Sequence, residues 1–87
     1  MEFEWDEDKN LTNIQKHGIG FEEAIAVFLD PLAVVQFDKE HSYCEDRWRA
    51  YGFVHKLLAV TFTEKDGIKR IISARKATKT EEDELIW

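Results

Sequence analysis

The clearest hydrophobic pattern in this 87-residue chain is a helical stripe from Phe21 to Leu29. Its apolar side chains fall at i, i+3, i+4, i+7 and i+8, which is the spacing of one face of an amphipathic helix. Pro31 comes soon afterwards, and the residue before a proline avoids the α conformation. The pattern therefore predicts a helix that ends before Pro31.

A shorter helix is predicted ahead of this one. Asp6 suits an N-cap, and the two acidic residues after it would face the positive end of the helix. Gly18 is a typical helix stop. Leu11 and Ile14 lie three residues apart, so they are predicted to share the apolar face of this helix.

Beyond Pro31 the pattern changes to the period of two that is typical of strands. Strands are predicted at Phe3–Trp5, Ala33–Phe37, Arg47–Val54, Leu58–Phe62 and Ile68–Ala74. The Asp66-Gly67 pair favours a hairpin between the last two. Thr78 and Glu81 have the spacing of a capping box, which predicts a short C-terminal helix.

These elements predict a single α+β domain over residues 1–87, in the order β-α-α-β-β-β-β-α. Strands that follow one another through hairpins imply an antiparallel sheet, with the two N-terminal helices packed on one face. In the last strand, strict alternation places Ser73 and Arg75 on one face and Arg70 on the other.

The net charge of −6 argues against a nucleic-acid binder, but its distribution changes the picture. Residues 1–45 hold eleven acidic and three basic side chains, whereas residues 46–79 hold nine basic and three acidic ones. A phosphate responds to the local field of a groove more than to the distant total. The middle of the chain is therefore a candidate surface for a polyanion, and an ordinary mixed solvated surface is the alternative.

The residue types in this basic region suit RNA cleavage. The RNA 2′-hydroxyl supplies the nucleophile, so the protein needs only a proton-transfer group and cations for the phosphate. Arg75, Arg70 and Arg47 are candidates for charge, and His17, His41 or a glutamate for proton transfer. Trp48 and Lys76 complete the candidate RNA-binding set that the residue types suggest. Trp48 would either stack on unpaired bases or pack in the core.

Other chemistries have less support in the sequence. His41 and Cys44 have the separation of two metal ligands, but a zinc site needs four groups, so neither a metal nor a cofactor is expected. The single cysteine excludes an internal disulfide and suggests a reducing compartment. The acidic N-terminus lacks a signal-peptide core, and no apolar run approaches the roughly 20 residues of a membrane span. A cytoplasmic protein is expected.

Several ordered segments resemble the BrnT family. The resemblance rests on Trp5-Asp6, Lys9, Asn13, Lys16-His17-Gly18, Phe21-Glu22-Glu23-Ala24, Phe28-Leu29-Asp30-Pro31, Asp38, His41, Arg47-Trp48, Gly52 and the stretch from Arg70 to Thr78. It covers the chain from Phe3 to about Glu81. After Glu81, where many members continue with a basic run and a tyrosine, this chain has three acidic residues and Leu85.

The resemblance implies a RelE-like fold and a ribonuclease toxin of a type II toxin–antitoxin system that arrests translation. It also implies a BrnA-type antitoxin that masks the RNA-binding face and contacts operator DNA itself. The basic and polar positions that match the family are Lys16, His17, Arg47, Arg70, Ser73 and Arg75.

Two alternatives to a nuclease stay open. The chain would be a non-catalytic module that binds the antitoxin as a co-repressor, which the acidic tail favours. Otherwise it is a small interaction domain that docks through the apolar residues Leu85, Ile86 and Trp87.

Overall fold

The structure is a computed structural model that describes residues 1–43 and 45–85. Cys44 lies outside the described residues, and with it the spacing of His41 and Cys44 that was considered and set aside as a metal site. Ile86 and Trp87 also lie outside, and with them most of the predicted apolar C-terminal docking segment. No helix of the described chain is long and apolar enough to cross a membrane.

Five strands and three α-helices make up the described chain, so the predicted α+β class is confirmed. The elements are β1 (Glu2–Glu4), α1 (Glu7–His17), α2 (Phe21–Ala24), β2 (Val34–Phe37), β3 (Trp48–Phe53), β4 (Leu57–Lys65), β5 (Ile68–Lys76) and α3 (Lys79–Leu85). Two 3₁₀ segments, Ile25–Leu29 and Lys39–His41, lie before and after β2.

The strands form one sheet in the order β1-β5-β4-β3-β2. Strands β2 to β5 pair antiparallel with their sequence neighbours, as hairpin connections require. β1 instead pairs parallel with the start of β5. The prediction of a purely antiparallel sheet was therefore wrong, and the sheet is mixed. β1 and β5 are the two strands farthest apart in sequence, so no hairpin connects them and their pairing does not have to be antiparallel.

The local signals at the ends of elements are confirmed. The Asp6 side chain accepts from the backbone N–H groups of Asp8 and Lys9, and Gly18 ends α1 in the left-handed conformation. Asp66 and Gly67 both have positive φ, as a tight hairpin turn requires. The helix predicted from Phe21 to Leu29 is α-helical only in its first turn and tightens to 3₁₀ afterwards, as is common near helix ends.

The main core lies between the sheet and the N-terminal helices, on the side that we call the helix face. Phe21, Val27 and Ile19 pack there against Val60 and Ile71, all nearly inaccessible to solvent. Fully burying such side chains stabilises a fold by about 1.5–3 kcal/mol each. This core therefore covers the helix face of the sheet and not its opposite face.

α1 is anchored by the buried side chain of Asn13 and not by its apolar residues. Asn13 donates to the carbonyl oxygens of Ile19 and Ala74 at 2.8 Å each and accepts from the Ala74 N–H at 3.1 Å. These bonds satisfy the backbone groups of Ala74 at the edge of β5, beyond the end of β1, where no strand pairs with it. Leu11 and Ile14, which were predicted to share an apolar face of α1, are 53% and 42% exposed, so that face is not part of the core.

A bulge in β5 reverses the predicted alternation of its side chains. Thr61 of β4 pairs with Ser73, but the next residue of β4 pairs with Ile71, so Ile72 is an extra residue. Consequently Ile71 and Ala74 both lie on the helix face, three residues apart. By register, Arg70 lies on the same face as Ser73 and Arg75, and the prediction that Arg70 lies opposite Arg75 was wrong.

Gly52 is required by the close approach of β3 to the 3₁₀ segment. A Cβ atom at Gly52 would lie 2.8 Å from both Cγ1 and the carbonyl oxygen of Val27. We expect Gly52→Ala to lower the free energy of unfolding by about 1–3 kcal/mol, as overpacking of a core does. Urea unfolding followed by tryptophan fluorescence measures this. Gly20→Ala is the matched control, since its Cβ would approach nothing closer than 3.6 Å, and equal losses in both variants would contradict the argument.

Candidate nucleic-acid interface

The face of the sheet opposite the helix face carries polar side chains from three strands, and we call it the arginine face. Arg49 of β3, Thr61 of β4 and Ser73 of β5 occupy neighbouring positions of the ladder. Tyr51 and Arg75 lie one row further along β3 and β5, on either side of Ala59. α3 covers one end of this face, where Leu85 packs against a small cluster that includes Tyr51 and Ala59.

Arg75 and Glu81 form the centre of the arginine face. The two guanidinium nitrogens of Arg75 donate to the two carboxylate oxygens of Glu81, at 2.7 and 3.0 Å. Tyr51 donates its hydroxyl to Glu81 at 2.8 Å, and Arg49 lies 3.7 Å from the same carboxylate. The predicted capping box between Thr78 and Glu81 is confirmed: the Glu81 side chain accepts from the Thr78 N–H, and the Thr78 hydroxyl accepts from the Glu81 N–H. A single carboxylate is thus held by two arginines and a tyrosine.

Asp38 extends this network to His41. Its carboxylate is buried and accepts from Nη2 of Arg49 at 3.1 Å. Nδ1 of His41 lies 3.0 and 3.1 Å from the two oxygens of the same carboxylate, while the histidine side chain is 54% exposed. Arg49 also donates to the Tyr51 hydroxyl at 3.3 Å. A continuous chain of polar contacts therefore runs from His41 through Asp38, Arg49, Tyr51 and Glu81 to Arg75.

The network shifts the titration of both of its carboxylates. Hydrogen bonds from Arg75 hold the pKa of Glu81 at about 2, below its ordinary value of 4.5, although partial burial acts in the other direction. Burial also acts to raise the pKa of Asp38, but the hydrogen bond from His41 and the charge of Arg49 outweigh it and the pKa is lowered. Both groups are therefore anions at neutral pH, and Glu81 is too weak a base to remove a proton efficiently.

The low pKa of Glu81 predicts a pH-dependent stability. Because its pKa is depressed in the folded state, ionised Glu81 stabilises the fold above pH 4.5, and this contribution is lost as the pH falls through about 2. We expect Glu81→Gln to lower the urea midpoint at pH 6 but to change it much less at pH 2.5. Asp83→Asn on the exposed side of α3 is the control. An equal effect of Glu81→Gln at both pH values would contradict the assignment.

Arg70 lies further along β5, towards its start. It pairs with Glu4 of β1, the two side chains meeting at 2.6 Å, and both are nearly half exposed. Arg70 and Arg75 pair with Thr63 and Ala59, which are four positions apart on β4, and this corresponds to about 13 Å. Arg70 therefore shares the arginine face but not the contact network of Arg75, and an exposed pair of this kind contributes little to stability.

Lys16, His17 and Ser73 meet at a groove beside β5. This groove, of about 330 Å³, lies between α1 and the bulge, and Ile72 and Asn13 also line it. Ser73 joins it to the arginine face, because the same residue pairs with Thr61 in the ladder. His17 is exposed and close to the end of α1. The groove brings together two predicted RNA-binding residues, Lys16 and Ser73, and the predicted proton-transfer candidate His17.

The remaining predicted residues are more scattered. Arg47 and His41 line a small pocket of about 160 Å³ with Tyr43 and Glu45. Trp48 packs against the main core, with its ring edge-on to Phe37 at 5.0 Å, so its packing favours the structural alternative over base stacking. Lys76 is exposed and pairs in register with Leu58 of the helix face, on the side away from Arg75.

Sequence reasoning missed four residues of the network: Asp38, Arg49, Tyr51 and Glu81. Asp38 and Arg49 are eleven positions apart and meet only because β2 pairs with β3. Glu81 gave a signal as part of a capping box, which has a purely local explanation. Among residues 1–43 and 45–85, no three histidine, cysteine, aspartate or glutamate side chains gather as a set of metal ligands.

The fold is thus a mixed five-stranded sheet with the N-terminal helices on one face and, on the other, an arginine-rich polar network beside α3. Comparison with known proteins identifies the class. The family model of the ribonuclease toxin BrnT, of type II toxin–antitoxin systems, matches residues 5–81. The chain belongs to this family of ribonuclease toxins.

A solved structure agrees with this assignment. The crystal structure of the Brucella abortus ribonuclease toxin BrnT is similar to this chain with a TM-score of 0.71 and 32% sequence identity. The similarity covers 91% of this chain and 99% of that one. No match was found among curated protein sequences.

Proposed function

We propose that this chain is an endoribonuclease that binds single-stranded RNA across the arginine face and cuts it by attack of the RNA's own 2′-hydroxyl. The observation that carries the proposal is the contact chain from His41 to Arg75. It joins an exposed imidazole, a group that moves protons near neutral pH, to two guanidinium groups, which suit a phosphate. The family assignment supports RNA as the substrate.

Arg75 and Arg49 would hold the scissile phosphate. A guanidinium fork donates two parallel hydrogen bonds to a phosphate as it does to a carboxylate. When the 2′-oxygen bonds to phosphorus and the bond to the 5′-oxygen breaks, negative charge grows on the phosphorane oxygens, and fixed cations lower the energy of that state. The leaving 5′-oxygen takes a proton from solvent water, so the products are a 2′,3′-cyclic phosphate and a 5′-hydroxyl.

His41 is the stronger of the two histidine candidates for proton transfer. When Nδ1–H donates to Asp38, the ring orientation is fixed and the lone pair on Nε2 is free to accept the 2′-hydroxyl proton. Asp38 would also stabilise the resulting imidazolium, so it acts as a positioning residue. His17 has no carboxylate partner within the described chain, and its groove would instead bind the RNA strand beside the cleaved bond.

The remaining family expectations belong to this proposal. A BrnA-type antitoxin would cover the arginine face and contact operator DNA with its own DNA-binding part. Without the antitoxin, RNA cleavage in the cytoplasm would inhibit translation. The chemistry uses no metal ion, and the RelE-like relationship of the fold stays a prediction.

The test is incubation of the purified protein with single-stranded RNA in the presence of a metal chelator. We expect cleavage that leaves 5′-hydroxyl ends, and we expect a single 2′-deoxy substitution at the cleaved position to block it. Absence of cleavage, or products with 5′-phosphate ends, would refute the proposal.

A second candidate function is a non-catalytic module that binds the antitoxin as a co-repressor. The observation that favours it is the pairing of Arg49, Arg70 and Arg75 with carboxylates of the same chain. Expression without the antitoxin separates the two functions. A nuclease should stop growth and Arg75→Gln should relieve the arrest, whereas a co-repressor should have no effect on growth.

A further inference from the structure

The Glu81 carboxylate occupies a ready-made anion site. Two oxygens are held by the fork of Arg75, one of them also by the Tyr51 hydroxyl, and Arg49 lies within 3.7 Å. The side chain of Glu81 is only 15% exposed. Forked arginines with a hydroxyl donor are also the groups that bind a phosphoryl oxygen. The same donors therefore cannot serve Glu81 and an RNA phosphate at once.

Within residues 1–43 and 45–85, the helix that carries Glu81 has few contacts with the rest of the molecule other than those of Glu81 itself. The described part of α3, Lys79–Leu85, contains no buried residue. In this described part, Leu85 is half-buried and packs against Tyr51, Leu57, Ala59 and Ala77. A terminal helix with so few buried contacts opens at low free-energy cost. The Arg75–Glu81 pair is thus a principal tie between α3 and the sheet.

We propose that α3 is an internal lid, in which Glu81 mimics a phosphate in the site formed by Arg49, Tyr51 and Arg75, and that an RNA phosphate binds by displacing it. This inference rests on the proposed function, because it takes the RNA backbone as the competing ligand. α3 carries three further acidic residues, Glu82, Asp83 and Glu84. Their charge repels the bound RNA, and this repulsion favours movement of α3 away from the sheet.

Glu81→Gln is a selective variant for this inference. Glutamine preserves the capping box with Thr78, so α3 keeps its start, while the negative charge in the anion site is removed. Asp83→Asn is the matched control, since it changes the net charge equally but lies on the exposed side of α3 in a pair with Lys79.

The probe is a single-stranded 2′-O-methyl RNA, which cannot be cleaved. Its affinity is measured for the wild type and both variants, and amide hydrogen exchange of residues 79–85 is measured in the wild type with and without the probe. We expect Glu81→Gln to bind the probe on the order of tenfold more tightly, the effect of one charge-assisted hydrogen bond, and Asp83→Asn less than threefold more tightly. We also expect the probe to accelerate exchange in α3.

Two kinds of failure are distinguishable. The lid would be overturned, and the proposed function would stand, if the wild type binds the probe but Glu81→Gln binds it equally or less tightly. The same holds if the bound probe leaves hydrogen exchange in α3 unchanged or slows it. Absence of binding and of RNA cleavage in all three proteins would overturn the proposed function and the lid together. A catalytic role of Glu81 would instead show as lost cleavage with unchanged affinity for the probe.

Discussion

Replacing Arg75 with glutamine is expected to lower the rate of RNA cleavage by about 100- to 1000-fold, the usual cost of removing a fixed donor from a developing oxyanion. In the structure, both terminal nitrogens of the Arg75 guanidinium donate to an anion, the Glu81 carboxylate. Glutamine keeps part of the length of the side chain but loses both the charge and the fork. A time course of cleavage of a labelled RNA under single-turnover conditions measures the effect.

Two controls separate catalysis from net charge and from stability. Lys56→Gln removes one positive charge in the exposed turn before β4 and should change the rate by less than a factor of about three, as expected for a distant surface charge. Arg75→Lys retains the charge without the fork, so it should recover only part of the activity. Full activity of Arg75→Gln, in a protein that is folded by circular dichroism, would remove the central residue of the proposal.

Replacing His41 with asparagine is expected to lower the cleavage rate by about 100- to 10,000-fold, the range for loss of a general acid or base. Asp38 orients Nδ1 of His41, and the exposed ring leaves Nε2 available to RNA. The rate is compared among His41→Asn, His17→Asn and His55→Asn under one set of conditions. Because His55 lies in an exposed turn, its variant should match the wild type.

The comparison of the three variants decides between the histidine candidates. We expect His17→Asn to weaken RNA binding modestly and to change the single-turnover rate at saturating RNA by less than a factor of ten. A large loss of that rate in His17→Asn, with His41→Asn still active, would transfer the proton-transfer role to the groove beside α1. The Asp38→Asn variant should lose at least as much activity as His41→Asn, since Asp38 contacts both His41 and Arg49.

Signals between residues that are close in sequence were sufficient to predict much of the fold. The Asp6 cap, the Gly18 stop, the Asp66-Gly67 turn and the capping box at Thr78 are all confirmed. Each depends on the conformational preference of one or two residues and on hydrogen bonds within a few positions. Such features do not require knowledge of tertiary contacts, so the sequence alone determines them.

Features that depend on pairing across the sheet were predicted less well. The bulge at Ile72 has no marker in the sequence, since isoleucine is as suitable for a regular strand as for the extra position. One inserted residue moved Arg70 to the face of Arg75. Likewise, the burial of Asn13 follows from the open edge of β5, which exists only because β1 is short.

The candidate site shows the same division. Arg75 and His41 were proposed from side-chain chemistry, but their connection was not, because it passes through Asp38, Arg49 and Glu81 from three separate segments. Asp38 looked like one of several loop acids, and its burial beside Arg49 could not be read from composition. The sequence explained Glu81 fully as part of the capping box. It therefore gave no reason to expect the second role that we propose for Glu81 in the anion site.

The central claim is that RNA binds on the arginine face of the sheet. The most direct test is a nuclear magnetic resonance titration of the isotope-labelled protein with uncleavable 2′-O-methyl RNA. We predict that the largest shift changes fall on Arg49, Thr61, Ser73 and Arg75 of the arginine face, on α3 and on the His41 ring. Changes confined to the helix face, around residues such as Leu11 and Glu22, would contradict the account.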